Sequence, residues 1–91
     1  MKALRARGVW CFKVHGGPLM PAGLPDIIGV YRGRFVAWET KMPSGRVSVI
    51  QALTHERIER AGGIVTVPRS VPEALEALNR IDHPSEENIL P

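Results

Sequence analysis

Two runs of strand-forming residues meet at a short turn that contains a glycine. The first run covers residues 25–31 and the second covers residues 34–41, with Arg32 and Gly33 between them. Aromatic and β-branched residues recur in both runs, and a glycine in a short connection between such runs is a strong hairpin signal. The sequence therefore predicts a β-hairpin, which limits how the two ends of this segment can meet.

Similar signals extend along the rest of the chain. In order, we predict a basic helical turn at residues 2–7, a strand at 8–15, the two hairpin strands, a helix opened by a capping box of Ser48 and Gln51, a strand at 64–67 and a helix opened by a capping box of Ser70 and Glu73. This (α)βββαβα order predicts an α/β domain in which helices flank a mixed β-sheet.

Apolar residues at helical spacing predict which side of each later helix is buried. The expected buried positions are Ile50, Leu53, Ile58 and Ala61 in the first of them and Ala74, Leu75, Leu78 and Ile81 in the second. Residues 1–81 are predicted to form a single domain. Residues 82–91, which contain two prolines and three acids, are predicted to form an acidic, flexible tail.

Charge is distributed unevenly along the chain. Residues 1–69 carry a net charge of +7 and residues 70–91 carry −4, which gives +3 for the whole sequence. The first 55 residues contain just two acids, Asp26 and Glu39. A basic segment of this kind suits a polyanion such as nucleic acid, because neutralisation of phosphates drives such binding. The two acids therefore need a separate explanation.

Composition excludes several other classes of protein. The 91 residues include one cysteine, Cys11, which excludes an internal disulfide framework and a cysteine-rich zinc module. No apolar run approaches the ~20 residues of a membrane span, and the amino terminus lacks an apolar signal core. We therefore expect a cytoplasmic protein with no membrane association. Because so short a chain buries a thin core, oligomerisation is expected to add to its stability.

The length of the hairpin turn determines whether Asp26 and Glu39 meet. If the hairpin turns symmetrically about Arg32 and Gly33, paired residues have numbers that sum to 65. Asp26 then lies opposite Glu39 on one face, with Cβ atoms ~4.5–5.5 Å apart. A three-residue loop would instead shift the register by one and place the carboxylates on opposite faces. The register is therefore a test of whether the two acids form one site.

Opposed carboxylates repel each other, so a bound cation would stabilise them. Lys41 lies two residues beyond Glu39 and, in a strand, shares its face. Two oxygen ligands and an ammonium group in a basic segment suit Mg²⁺ and phosphate chemistry. The alternative is that Asp26 and Glu39 are unrelated acids at sheet edges and that Lys41 is a surface charge. For Gln51, likewise, the capping box is an explanation that needs no function.

The linked order of these motifs resembles a known nuclease family. The resemblance is to the virus-type replication-repair nuclease (VRR-NUC) domain, a branch of the PD-(D/E)xK superfamily, and covers about residues 8–67. Its motifs are Gly23-Leu24-Pro25-Asp26, a hairpin, Glu39-Thr40-Lys41, and Ser48 to Gln51 opening a helix. The resemblance implies a restriction-endonuclease-like PD-(D/E)xK core, Mg²⁺ or Mn²⁺ as cofactor, and hydrolysis of phosphodiester bonds by metal-activated water.

The resemblance also implies roles for individual residues. Asp26, Glu39 and the backbone carbonyl of Thr40 would bind the metal, Lys41 would be the catalytic lysine, and Gln51 would approach the site from the helix. Family members of this length are typical of phages, act in the bacterial cytoplasm, form homodimers and are similar to Holliday-junction resolvases. They usually carry a glutamate on the first helix, whereas no acid precedes Asp26 here, so we expect one metal rather than two.

Basic residues near the predicted site and the hairpin tip are expected to contact DNA: Lys13, His15, Arg32, Arg34 and Arg46. The alternatives are a polar strand end for His15 and ordinary solubilising charge for the others. Four aromatic residues are expected in the core or a subunit interface rather than stacked on bases: Trp10, Phe12, Phe35 and Trp38. His55 is expected to be a solvated helix residue without a role.

The sequence thus predicts a Mg²⁺- or Mn²⁺-dependent endodeoxyribonuclease that cuts branched DNA such as Holliday junctions. It is expected to act as a homodimer and to need no nucleotide cofactor. The alternative is a DNA-binding or assembly module that keeps the nuclease fold but does not cleave.

Overall fold

The computed structural model describes residues 1–40 and 46–84. Its elements are α1 (Lys2–Ala6), β1 (Trp10–Lys13), β2 (Ile27–Tyr31), β3 (Arg34–Trp38), α2 (Val49–Arg60), β4 (Ile64–Thr66) and α3 (Val71–Asp82). The predicted (α)βββαβα order is confirmed, and the chain is a small α/β domain. Among the helices of the described ranges, none is long and apolar enough to cross a membrane.

The four strands form one mixed sheet in the order β1-β2-β3-β4. The first three strands are antiparallel neighbours, whereas β4 runs parallel to β3. A parallel neighbour needs a crossover connection, and helix α2 lies within the segment that provides it. The predicted site residues Glu39 and Gln51 lie at the start of this connection and in α2.

The hairpin turn consists of Arg32 and Gly33, both with positive φ angles, 50° and 78°. Two such residues form the tight turn whose twist matches that of antiparallel strands. The register that results pairs Tyr31 with Arg34 and Ile27 with Trp38. These pairs sum to 65, so the symmetric register predicted from the sequence is confirmed.

The main core lies on one face of the sheet, between the strands and the helices α1 and α3. It contains Trp38 and Val36 of β3, Leu4 of α1 and Leu78 of α3, all at most 4% exposed. The predicted apolar stripe of α3 is confirmed, since Leu78 is fully buried and its partly buried neighbours Ala74, Leu75 and Ile81 pack against the core. Trp38 adds a hydrogen bond from its indole N–H to the carbonyl of Ala74, at 2.9 Å.

The predicted buried stripe of α2 is wrong in part. Ile50 and Leu53 are 56% and 48% exposed, whereas His55 is the buried residue of this helix. The side of α2 that faces the sheet carries Gln51, His55 and Ile58, at spacings of four and three residues. The contacts of Gln51 and His55 with Glu39, the residue after β3, therefore orient α2 together with the packing of Ile58 against Gly63.

The sheet face opposite α1 and α3 is partly uncovered. Four apolar residues on it, called the aromatic face below, are 39–68% exposed: Trp10, Phe12, Val30 and Phe35. The register aligns Trp10 with Val30 and Val30 with Phe35 in one row across three strands. Burial of Trp38 agrees with its predicted core position, but Trp10, Phe12 and Phe35 do not lie in the core of the described chain.

Asp82, the first residue of the predicted tail, is the last residue of α3, and residues 85–91 of that tail lie outside the described residues. The Tyr31 hydroxyl donates to its carboxylate at 2.8 Å, and Arg32 and Arg7 reach it at 3.0 and 3.3 Å. These contacts connect α3 to the hairpin turn and to the end of α1. The hydrogen bond from Tyr31 and the two positive charges outweigh the effect of burial and hold the pKa of the Asp82 carboxyl below its ordinary value of 3.8.

We predict that Asp82→Asn destabilises the protein at neutral pH and that this difference disappears in acid. A carboxylate with a lowered folded-state pKa contributes stability above pH 3.8, which is lost as the pH falls through the lower folded-state value. Urea unfolding at pH 7 and at steps down to pH 3 measures the difference. Glu76→Gln, on an exposed part of α3, is the control. An Asp82→Asn effect that is independent of pH would contradict the ion-pair explanation.

Candidate functional site

The hairpin register brings Asp26 and Glu39 to the same end and face of the sheet. These residues directly precede β2 and follow β3, and the pairing of Ile27 with Trp38 places them next in the ladder. Backbone hydrogen bonds continue one residue beyond the strands at this end: the N–H of Val14 donates to the carbonyl of Asp26 at 2.7 Å, and that of Glu39 to the carbonyl of Thr66 at 2.9 Å. Directly opposed residues have Cβ atoms ~4.5–5.5 Å apart, so this register directs the two carboxylates to one end of one sheet face.

Thr40 holds the carboxylate of Asp26. Its backbone N–H and its hydroxyl both donate to Oδ2 of Asp26, at 3.0 and 2.7 Å. Two donors on one oxygen fix the orientation of the carboxylate. This contact is an additional role for Thr40, whose backbone carbonyl as a metal ligand stays a prediction.

A cavity of about 370 Å³ opens beside Asp26. It is lined by the glycine-rich connection from β1 to β2, including Gly16, Gly17 and Gly23. At Gly23 a Cβ atom would come within 2.6 Å of the Ile50 carbonyl oxygen, and the Thr54 hydroxyl donates to the carbonyl of Ala22 at 2.9 Å. The connection therefore packs against α2, and the cavity lies between the Asp26 side of the site and solvent.

Glu39 is buried, with 1% of its surface exposed. Burial of a carboxylate is costly unless donors compensate for the lost hydration. Gln51 supplies one donor, since its Nε2 lies 3.1 Å from Oε1 of Glu39. The Nε2 atom of His55 lies 3.5 Å from the same oxygen. One face of α2 therefore presents two polar side chains to a single carboxylate oxygen.

Gln51 also completes the capping box of α2. Its Oε1 accepts the Ser48 backbone N–H at 2.9 Å, while its own backbone N–H donates to the Ser48 hydroxyl at 3.1 Å. From the sequence, helix capping and a contact with the site were alternative explanations for Gln51. Its amide group serves both, because the oxygen faces the cap and the nitrogen faces Glu39. The start of α2 is thereby connected to the carboxylate.

The predicted DNA contacts fall into two groups. His15 follows directly after Val14, the neighbour of Asp26, and is exposed, as is Arg46. Lys13 is also exposed, but strand alternation places it on the sheet face opposite Asp26. Lys41 lies outside the described residues, so its predicted position beside the carboxylates stays a prediction.

Arg32 and Arg34 lie at the other end of the hairpin, roughly 20 Å along the strands from Asp26. Arg32 contacts Asp82 and lies over the Tyr31 ring at 5.5 Å, and Arg34 donates to the Gly62 carbonyl at 3.2 Å. Both guanidinium groups therefore have intramolecular roles and lie far from the carboxylates.

His55 is the site residue that sequence reasoning missed. It was expected to be solvated because Thr54 and Glu56 flank it, yet it is 8% exposed and contacts Glu39. The available signal was its spacing of four from Gln51, which places both side chains on one helix face. The predicted approach of Gln51 to the site therefore also indicated that His55 would face the site.

Asp26 and Glu39 are the side chains available to bind the expected Mg²⁺ or Mn²⁺ ion. Within residues 1–40 and 46–84, no cluster of three or more His, Cys, Asp or Glu side chains is placed to hold a metal. Mg²⁺ nevertheless commonly binds through one or two carboxylates and keeps several waters. Asp26 and Glu39 therefore fit a hard, partly hydrated cation, and not a fully protein-coordinated zinc ion.

Comparisons with known proteins leave the family of this chain open. A scan against models of protein families matches none of them, and a search of curated proteins finds no significantly similar sequence.

Proposed function

We propose that this protein is a Mg²⁺- or Mn²⁺-dependent DNA endonuclease with a PD-(D/E)xK core of the VRR-NUC type. The observation that supports it most is the hairpin register, because a tight Arg32-Gly33 turn aligns the two acids of the basic segment. The contact of Gln51 with Glu39 adds support, since the resemblance implied that this glutamine approaches the site.

The proposed reaction assigns a task to each group. A divalent cation held by Asp26 and Glu39 would neutralise charge at the scissile phosphate and would lower the pKa of a bound water. Thr40 holds Asp26, Gln51 holds Glu39, and Lys41 is proposed to balance negative charge on the phosphate. Water attacks phosphorus in line with the 3′ oxygen and gives up a proton to solvent. The bond between phosphorus and the 3′ oxygen breaks, and that oxygen takes a proton from solvent, so the products carry a 5′-phosphate and a 3′-hydroxyl. Exposed His15 and Arg46 are proposed to contact the DNA backbone, with Lys13 at the sheet edge.

We predict that Asp26→Asn, Glu39→Gln and Lys41→Ala each lower the cleavage rate by more than about 100-fold, because each removes a charge that the transition state requires. Labelled four-way junction, flap and linear duplex DNA are incubated with Mg²⁺, Mn²⁺ or EDTA, and products are resolved on gels. Glu76→Gln is the carboxylate control and should cleave like the wild type.

Two results would contradict this proposal. Wild-type rates in all three site variants would remove the assigned residues from the reaction. Binding of DNA in EDTA, with no products in either metal, would favour the non-cleaving module. The pattern across the three DNA substrates tests the preference for branched DNA.

The role of Gln51 can be separated from its role in the cap. We predict that Gln51→Ala lowers metal-dependent cleavage by about 10- to 100-fold, because partners that orient metal ligands have effects of this size. Ser48→Ala removes the cap acceptor and is expected to cost about 1 kcal/mol of stability while keeping the Gln51 contact with Glu39. Thermal unfolding and cleavage rates are measured on both variants. Equal loss of activity in the two variants would show that the cap alone matters.

A homodimer is part of the proposal. The aromatic face exposes roughly 400 Å² of apolar side chain, about half of what one partner contributes to a standard interface. Ile28 and Ala37, which lie on the same sheet face next to these residues, are also uncharged. Ile58 and Ala61 form an apolar groove with Phe35 and so extend the aromatic face. An uncharged face suits a second copy of the chain better than a polyanion, because symmetry pairs the patch with itself.

We predict that Trp10→Ser weakens the dimer, measured by sedimentation over a range of protein concentrations. Leu19→Ser is the control, because Leu19 is 97% exposed on the β1–β2 connection and lies outside the aromatic face. The fluorescence emission of Trp10 should also shift to the blue as the protein concentration rises. The contribution of Trp38 should stay constant, because Trp38 is already buried. A wild type that stays monomeric, with Trp10 emission that responds to single-stranded DNA instead, would make this face a base-stacking surface.

A further inference from the structure

His55 occupies a position where an apolar residue would be expected. Among the residues of α2, all of which are described, it is the one in the buried class, at 8% exposure. Ile58, on the same helix face, packs closely against Gly63, directly before β4. A buried imidazole costs hydration unless it meets a polar partner. The Nε2 atom of His55 lies 3.5 Å from Oε1 of Glu39, a polar contact longer than an ordinary hydrogen bond.

The contacts of His55 and Gln51 converge on one atom. Their Nε2 atoms lie 3.5 and 3.1 Å from Oε1 of Glu39, and the two residues are one helical turn apart. The terminal torsion of a glutamate side chain is broad when nothing restrains it. The hydrogen bond from Gln51 restricts that rotation, and the His55 imidazole lies close to the same oxygen.

We propose that His55 is a positioning residue that acts with Gln51 to orient the Glu39 carboxylate for a divalent cation. This inference rests on the proposed function of Glu39 as a metal ligand. His55 acts through Glu39, so it contacts neither the cation nor the DNA. Its removal should therefore weaken cation binding and leave the affinity for DNA in EDTA unchanged.

A merely structural role makes a different prediction for two substitutions. His55→Leu keeps an apolar side chain of substantial volume but has no N–H donor, whereas His55→Gln keeps a donor that can reach Glu39. If His55 only fills space, the leucine variant should match or exceed the glutamine variant. If it orients Glu39, the glutamine variant should perform better in spite of its polarity.

The experiment measures Mn²⁺ binding to the whole, DNA-free protein by titration calorimetry. Wild type, His55→Leu, His55→Gln and the control Leu53→Ala, an exposed position on α2, are compared after circular dichroism has shown that each is folded. We expect His55→Leu to lower the Mn²⁺ affinity by about 10- to 100-fold. His55→Gln should recover most of it, and the control should bind like the wild type.

Cleavage at increasing Mn²⁺ gives a second measurement. The activity lost in His55→Leu should return as Mn²⁺ is raised, with the KM for DNA unchanged. Equal Mn²⁺ affinity in the wild type and both His55 variants would overturn the positioning role and leave the proposed function in place. The same conclusion would follow if His55→Leu bound Mn²⁺ as tightly as His55→Gln. Absence of Mn²⁺ binding by the wild type would overturn both proposals. If His55→Leu fails to fold, the comparison is between His55→Gln and Glu39→Gln. A Mn²⁺ affinity of folded His55→Gln as low as that of Glu39→Gln would also overturn the positioning role.

Discussion

The register of one β-hairpin is the constraint on which the candidate site depends. A turn longer by one residue would move Glu39 to the other face of the sheet and separate it from Asp26. Arg32 adopts a positive φ of 50°, which is unfavourable for a residue with a side chain. Its contacts with Asp82 and the Tyr31 ring stabilise it there. The end of α3 thus helps to hold the turn that aligns two carboxylates at the opposite end of the strands.

Helix α2 provides the second constraint, because its start is connected to the site. Gln51 accepts from the Ser48 backbone and donates to Glu39 through the two ends of one amide group. Glu39 in turn follows β3, and its backbone N–H donates to the carbonyl of Thr66, the last residue of β4. A buried carboxylate is tolerated at this position because polar groups of α2 surround it. Local helix capping and the geometry of the candidate site are therefore coupled in this fold.

Much of this arrangement could be predicted from the sequence, and the exceptions share a physical reason. The order of elements along the chain, the capped starts of α2 and α3 and the hairpin register follow from local residue preferences and turn length. The orientation of α2 was not predictable in this way, because it depends on Ala22 and Gly23 packing against a helix some 30 residues away. The contacts of Asp82 with Tyr31 and Arg32 were missed for the same reason. For His55, by contrast, the spacing of four from Gln51 was an available signal. Apolar spacing in α2 suggested burial of Ile50 and Leu53, but polar contacts with Glu39 turn a different side towards the sheet.

Anomalous diffraction from crystals soaked in Mn²⁺ tests the central claim most directly. It locates the cation without relying on activity and identifies its ligands. The account predicts one strong Mn²⁺ peak between the carboxylates of Asp26 and Glu39, absent from crystals of the Asp26→Asn variant. A peak elsewhere in the molecule, with none between these two residues, would contradict it.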